Sequence, residues 1–241
     1  MNNKRIGFDR RLKLDWLDRT IGLCQAQLTP GAVAAHLQEQ LAGEIKGAEA
    51  RSKTIVVLLR LWVNVPERDK RLRDEALQLA AHLEAGERLW LHWGISLLAY
   101  PFFRDVASIA GQLGRLQGAV SLSQVERRIV ESWGQRTTLH WATQRVVRSF
   151  VDWGVLRDTD ERGSYTLVPP HQTKSQVLAL WLLECALQAH EAEQVSLREL
   201  GQLSYTFPFD LLPFIGEIRR SKRFEITRQG LDMEMVAVIA T

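Results

Sequence analysis

Cysteine is almost absent. Cys24 and Cys185 are the only two in 241 residues, they lie far apart, and neither belongs to a C-x-x-C pair. A disulfide framework, a zinc ribbon and an iron–sulfur site are therefore excluded, and a reducing cytoplasm is the expected compartment. Long apolar runs are missing as well: the richest stretch, Leu89 to Phe103, is interrupted by His92 and Pro101. It falls short of the roughly 20 residues that a bilayer span requires. The opening stretch MNNKRIGFDRRLKLDW breaks its apolar residues with charges, unlike a secretory signal. No membrane segment is expected. Lysine is scarce too, with seven among 31 cations, so arginine supplies most of the positive charge. Its planar fork suits phosphates, carboxylates and guanine edges. The formal net charge is only +3, so any nucleic-acid contact must come from local clustering.

Catalytic and metal signatures are equally sparse. Neither G-x-S-x-G nor G-K-[ST] occurs, and the six histidines show no i, i+3 or i, i+4 pairing. Gly111, Gly114 and Gly118 follow a helical pattern instead of a strand and lack the G-x-G-x-x-G spacing, which points to close helix packing. His190-Glu191 opens like a zinc-protease helix, but position 194 is Gln where the second ligand would stand. The turn DTDERG resembles half of a calcium loop, yet Pro169 occupies the place of the bidentate Glu. No enzymatic activity, cofactor or metal is expected.

What the chain has is helical periodicity, 24% charge and eight tryptophans. Residues 1–120 read as an all-helical domain. Apolar stripes run over Asp9–Gln27, over a segment capped by Thr29 with Pro30 at its first position, and over Glu49–Val63. A fourth helix opens at Pro66 and is expected to end at Gly86, followed by Glu87–Tyr100 and Phe103–Gln117. Trp90, Trp93, Leu97 and Leu98 recur on a segment apolar nearly all round, as in a central core helix rather than a ligand pocket.

From Ser121 the grammar changes to helix, turn, helix and two short strands, the order of a winged helix-turn-helix over 121–170. Ser123–Trp133 ends at Gly134; Thr137 or Thr138 caps a helix reaching Trp153; VLRD and SYTLV flank TDERG. Residues 171–241 repeat that order, with a helix over Ser175–His190, a short helix capped by Ser196 and Glu199, and a third over Phe207–Arg220 kinked at Pro213. FEIT and MEMVAVI then form a hairpin across Gly230. The expected fold is mostly α, a helical N-terminal domain followed by winged helix-turn-helix modules with short β-hairpin wings.

In such a module the second helix lies in the major groove. Between Thr138 and Trp153 the buried side should be Leu139, Ala142, Val146, Val147 and Phe150, leaving His140, Gln144, Arg145 and Arg148 outward. With Arg136 before this helix and Arg127 and Arg128 on its predecessor, residues 121–151 hold five Arg against two Glu. Arg157 and Arg162 extend the candidate DNA-binding set into the wing, where Asp158, Asp160 and Glu161 oppose them. Arg219, Arg220, Lys222 and Arg223 form a second basic run, equally readable as a solvated face. Trp153 should pack beneath the wing.

An arginine-bearing helical region followed by R-x-F-x-x-W-G-V-L, here Arg148, Phe150, Trp153, Gly154, Val155 and Leu156, resembles the BrxA-type accessory proteins of bacterial BREX phage-exclusion systems. The likeness covers roughly residues 10 to 157, and the part from 171 onward departs from it. The resemblance implies a cytoplasmic, helical, DNA-binding component of phage defence with no catalytic site, working beside other proteins of the same system. The rival expectation is a scaffold or adaptor whose winged helices dock partner proteins without touching DNA.

Overall fold

In the computed structural model, which describes residues 5–229 and 233–239, the chain is mostly helical with two small antiparallel sheets. The first helix, α1 (Leu14–Gln25), starts later than its apolar stripe suggests. Residues 9–12 are drawn away from helical bonding: the Leu12 N–H donates to Ser149 Oγ at 2.8 Å, and the Asp9 carbonyl accepts from Arg145 at 2.9 Å. Thr29 caps α2 (Pro30–Gln40), its hydroxyl accepting from the Ala32 N–H at 3.3 Å with Pro30 at the first position. Next come α3 (Ala48–Trp62) and α4 (Glu67–Ala80), the latter directly after Pro66.

Gly86 does not end α4. That helix closes at Ala80 with a tightened last turn, in which the His82 N–H bonds the Leu79 carbonyl, and Gly86 falls in the first turn of α5 (Ala85–Ala99). Pro101 begins α6 (Pro101–Gln117). Every residue of α5 from Leu89 to Leu98 is buried, as a helix apolar on all sides must be. Trp93 stands at its centre, its ring 5.0–6.0 Å from those of Phe103, Phe150, Trp153, Phe207 and Phe209. Those partners come from all three stretches expected as domains, and one apolar core runs from Phe8 to Val236.

Between 120 and 167 the order is β1 (Val120–Ser121), α7 (Leu122–Trp133), α8 (Thr137–Asp152), β2 (Leu156–Asp158) and β3 (Ser164–Leu167). The sheet order is β1-β3-β2, with Val120 opposite Tyr165 and Leu156 opposite Leu167. Gly134 and Gly154, at φ of 76° and 71°, supply the left-handed stops after α7 and just past α8. Thr137 and Thr138 do not cap α8; the capping position belongs to Arg136, with no side-chain bond to the helix end, and both threonines lie inside.

The C-terminal part repeats the sheet order but not the pair of α-helices. α9 (Gln176–Gln188) is capped by Ser175, and β4 (Gln194–Ser196) precedes α10 (Leu197–Leu200), where Ser196 Oγ accepts from the Glu199 N–H at 3.1 Å. β5 (Phe224–Gln229) and β6 (Met233–Val238) pair in antiparallel register, Ile226 opposite Val236, in a sheet of order β4-β6-β5. The turn expected at Gly230 lies outside the described residues. The expected α-helix over Phe207–Arg220 is replaced by a 3₁₀ turn at Ser204–Thr206 and a 3₁₀ run at Leu212–Arg220. The reason is in the backbone: the Pro208 carbonyl accepts from the His171 N–H at 2.7 Å and the Asp210 N–H donates to the His171 carbonyl at 3.0 Å. Pro213 also lacks an N–H.

α6 holds the two halves together through its small residues. A methyl at Gly111 would sit 2.1 Å from the Ser204 carbonyl, and one at Gly114 would meet Leu167 of β3 at 2.4 Å. Gly111 and Gly114 serve close packing, as their spacing suggests; Gly118 does not, having nothing within 4 Å of its Cβ position, and instead ends α6 at a φ of 71°. No helix among the described residues is long and apolar enough to cross a membrane.

Candidate nucleic-acid interface

Helical spacing places one stripe of α8 in the core. Leu139, Ala142, Val146, Val147 and Phe150 are buried, joined by Thr143 and Ser149. On the opposite side, Thr137, Thr138, His140 and Trp141 are exposed near the amino end, while Gln144, Arg145 and Arg148 further along are half-buried. The two ends of that outward side differ chemically. Towards the carboxyl end, residues 9–12 run against the helix: Arg11 forks onto Asp152 at 2.5 and 2.6 Å, and Arg145 donates to the Asp9 carbonyl. Arg148 reaches across to Asp158 of β2 at 2.6 Å. Two cations thus meet two carboxylates, and this half of the face is internally neutralised.

Towards the amino end the face is open. His140 Nδ1 lies 2.9 Å from Glu126 of α7, and the edge of its ring meets the Trp141 indole at 74° and 5.0 Å between centroids. Arg127 is exposed on α7, Arg128 reaches back 3.5 Å to Gln112 of α6, and Arg136 is half-buried at the helix start. In the β2–β3 hairpin, Arg157 and Asp158 of β2 and Asp160, Glu161 and Arg162 of the loop are all exposed. Thr159 closes that loop, its hydroxyl and its N–H both donating to the Ser164 carbonyl at 3.0 and 3.2 Å.

The second basic run is divided. Arg223 turns inward between α4 and α9, where Glu75 and Glu184 take its guanidinium. Arg219 is paired with Glu234 of β6, while Arg220 and Lys222 stay exposed. Arg223 is thus a packing cation, and the other three border the surface.

No known protein family matches this chain, nor does any characterised protein or solved structure. Among the described residues no group of three or more His, Cys, Asp or Glu is arranged to hold a metal ion. Burial pushes both thiols up, Cys185 strongly so, which keeps them protonated and unsuited to nucleophilic work. A hollow of about 750 Å³ between α6 and α10 is lined by Ser108, Gln112, Arg115, His190, Arg198 and Gln202; there Ser108 Oγ bonds Ser204 Oγ at 2.5 Å, while His190 Nδ1 accepts from the Ala192 N–H at 3.0 Å. Trp153 is buried, its indole donating to the Leu12 carbonyl at 2.9 Å and its ring facing Phe8 and Phe103, so it packs under the N-terminal segment. Sequence reasoning missed Trp141. Its signal was legible all the same: it sits opposite the Leu139–Val146 stripe, where a large aromatic has no core to enter.

Proposed function

We propose that the chain is a non-catalytic DNA-binding protein that presents α8 and the β2–β3 hairpin to duplex DNA as a winged helix-turn-helix. The observation that carries this reading is the order β1-α7-α8-β2-β3 with sheet order β1-β3-β2 and the amino half of α8 turned outward. In this reading α8 corresponds to the helix that enters the major groove and the hairpin to the wing, which the order supports. Arg127, Arg157 and Arg162 stand at the rim as exposed cations able to meet phosphate. The C-terminal elements share the sheet order, β4-β6-β5, but offer the 3₁₀ run Leu212–Arg220 where α8 stands in the first module. The resemblance of Arg148, Phe150 and residues 153–156 to BREX accessory proteins supports a role in phage defence, in the cytoplasm and beside other proteins of such a system.

A scaffold or adaptor role is the second reading. It is favoured by the self-neutralised carboxyl half of α8 and by the acidic residues of the wing, which weaken attraction to phosphate. Binding of a labelled duplex across a salt series separates the two. Each neutralised phosphate releases counterions and contributes about 0.9 to the slope of log affinity against log salt. A slope of several units supports DNA binding, and no duplex binding at low salt supports the adaptor.

A further inference from the structure

Seven of the eight tryptophans, at 16, 62, 90, 93, 133, 153 and 181, are buried in the core. Trp141 alone stands out of it, 57% exposed on the amino half of α8. An indole left in water forgoes about 25 cal/mol for each Å² of apolar surface it could bury, and such side chains are typical anchors of recognition surfaces. Its surroundings are ordered. The imidazole of His140 backs the ring edge-on and is itself tied to Glu126 of the preceding helix. One turn earlier on the same face lie the exposed hydroxyls of Thr137 and Thr138, and one turn later Gln144 and Arg145.

We propose that Trp141 is the apolar anchor of α8 on duplex DNA, its indole lying against thymine methyl groups on the major-groove edge. This rests on the DNA-binding reading above and deepens it by naming the contact. Of the four bases only thymine offers an apolar group in the major groove, so a large apolar side chain at the tip of a groove-entering helix matches A·T-containing sequence. The occupant follows from the order of elements. α8 comes after α7 and before the hairpin, as the groove-entering helix of a winged helix-turn-helix does, and Arg127, Arg157 and Arg162 are exposed on those flanking elements, the last two beside exposed Asp160 and Glu161. The carboxyl half of α8 contributes little to the attraction, because Asp152 and Asp158 already occupy Arg11 and Arg148.

The test uses the intact protein. Because the other seven tryptophans are shielded, acrylamide quenching of intrinsic fluorescence reports chiefly on Trp141. In the free protein the emission should be quenched efficiently, and saturating A·T-rich duplex should protect it. Trp141→Ala should keep the parent melting temperature and lower duplex affinity at least tenfold. A twin duplex with uracil in place of thymine, which lacks only the methyl groups, should bind the parent several-fold more weakly and the variant equally well. Duplex binding with unprotected fluorescence and an unchanged Trp141→Ala affinity would overturn the proposal. Protection with equal binding of both duplexes would overturn the methyl contact. If the parent binds no duplex at any salt, the DNA-binding reading itself fails and this contact falls with it, an outcome distinct from a binding protein indifferent to Trp141.

Discussion

Arg148 shows how far a single residue can be read from its spacing. Its outward placement follows from the helical period, but its partner does not, because Asp158 lies across the turn on β2. The same limit applied to Arg145 and Arg11, whose partners Asp9 and Asp152 stand 136 and 141 residues away. Truncating Arg148 would remove a cation and a strut to the β2–β3 hairpin at once, so weakened binding would not identify the cause. Asp158→Asn separates them: it removes the bridge's negative charge and frees the guanidinium. If Arg148 faces phosphate, the salt slope steepens by up to about 0.9 and affinity rises. An unchanged slope would mean that the bridge is purely structural. His92 gives a second residue-scale expectation. It is buried on α5 with Nε2 at 3.1 Å from Asp18, and burial holds its pKa below the ordinary 6.5 despite that carboxylate. The unfolded chain then binds a proton that the folded chain resists, so stability falls as pH drops below about 6.5 towards the folded pKa. Melting temperatures measured at pH 7 and pH 5 should diverge, and His92→Gln should reduce the difference.

Elements were legible where they are long. α2, α3, α5, α6, α7, α8 and α9 follow their apolar period; Thr29 caps α2 as its place before Pro30 suggests, whereas neither Thr137 nor Thr138 caps α8. The strands β1 and β4, of two and three residues, carry no alternation of their own and exist only through pairing with β3 and β6. The 3₁₀ run at Leu212–Arg220 escaped for a related reason, since the bonds that pull 208–210 out of helix come from His171. Glycines within helices test this distinction between local preference and packing. Gly22 in α1 has nothing within 4 Å of where a Cβ would stand, whereas Gly111 in α6 has the Ser204 carbonyl at 2.1 Å. Gly22→Ala should therefore stabilise by about 0.5–1 kcal/mol, the helix-propensity gain. Gly111→Ala should destabilise by about 1–3 kcal/mol, because backbone must shift to admit the methyl. Denaturant midpoints read both, and the same sign for the two would show that α6 does not seat the C-terminal part as closely as drawn.

At the scale of the whole molecule, the expected boundaries near 120 and 170 mark changes of secondary structure within one core. Composition and period cannot report which helix covers which. The centre is Trp93, ringed by aromatic side chains from α6, α8 and the segment between α10 and the 3₁₀ run. A polar tie adds to this: Glu184 of α9, almost wholly buried, receives Arg71 of α4 and Arg223 next to β5, the latter at 2.7 Å, and Arg223 also holds Glu75 of α4. The chain should consequently unfold as one unit, with near-ultraviolet dichroism from the tryptophans and far-ultraviolet dichroism from the helices melting together. Glu184→Ala leaves Arg71 and Arg223 with Glu75 as the one carboxylate still near both. Removing one member of a buried ion pair costs about 3–5 kcal/mol, and the low end applies because Arg71 is 41% exposed. Both signals should shift down by the same amount. If instead the C-terminal elements melted first while the tryptophan signal of α5 held, the aromatic ring around Trp93 would not couple the parts, and the two repeated modules would have to be treated as separately folding bodies.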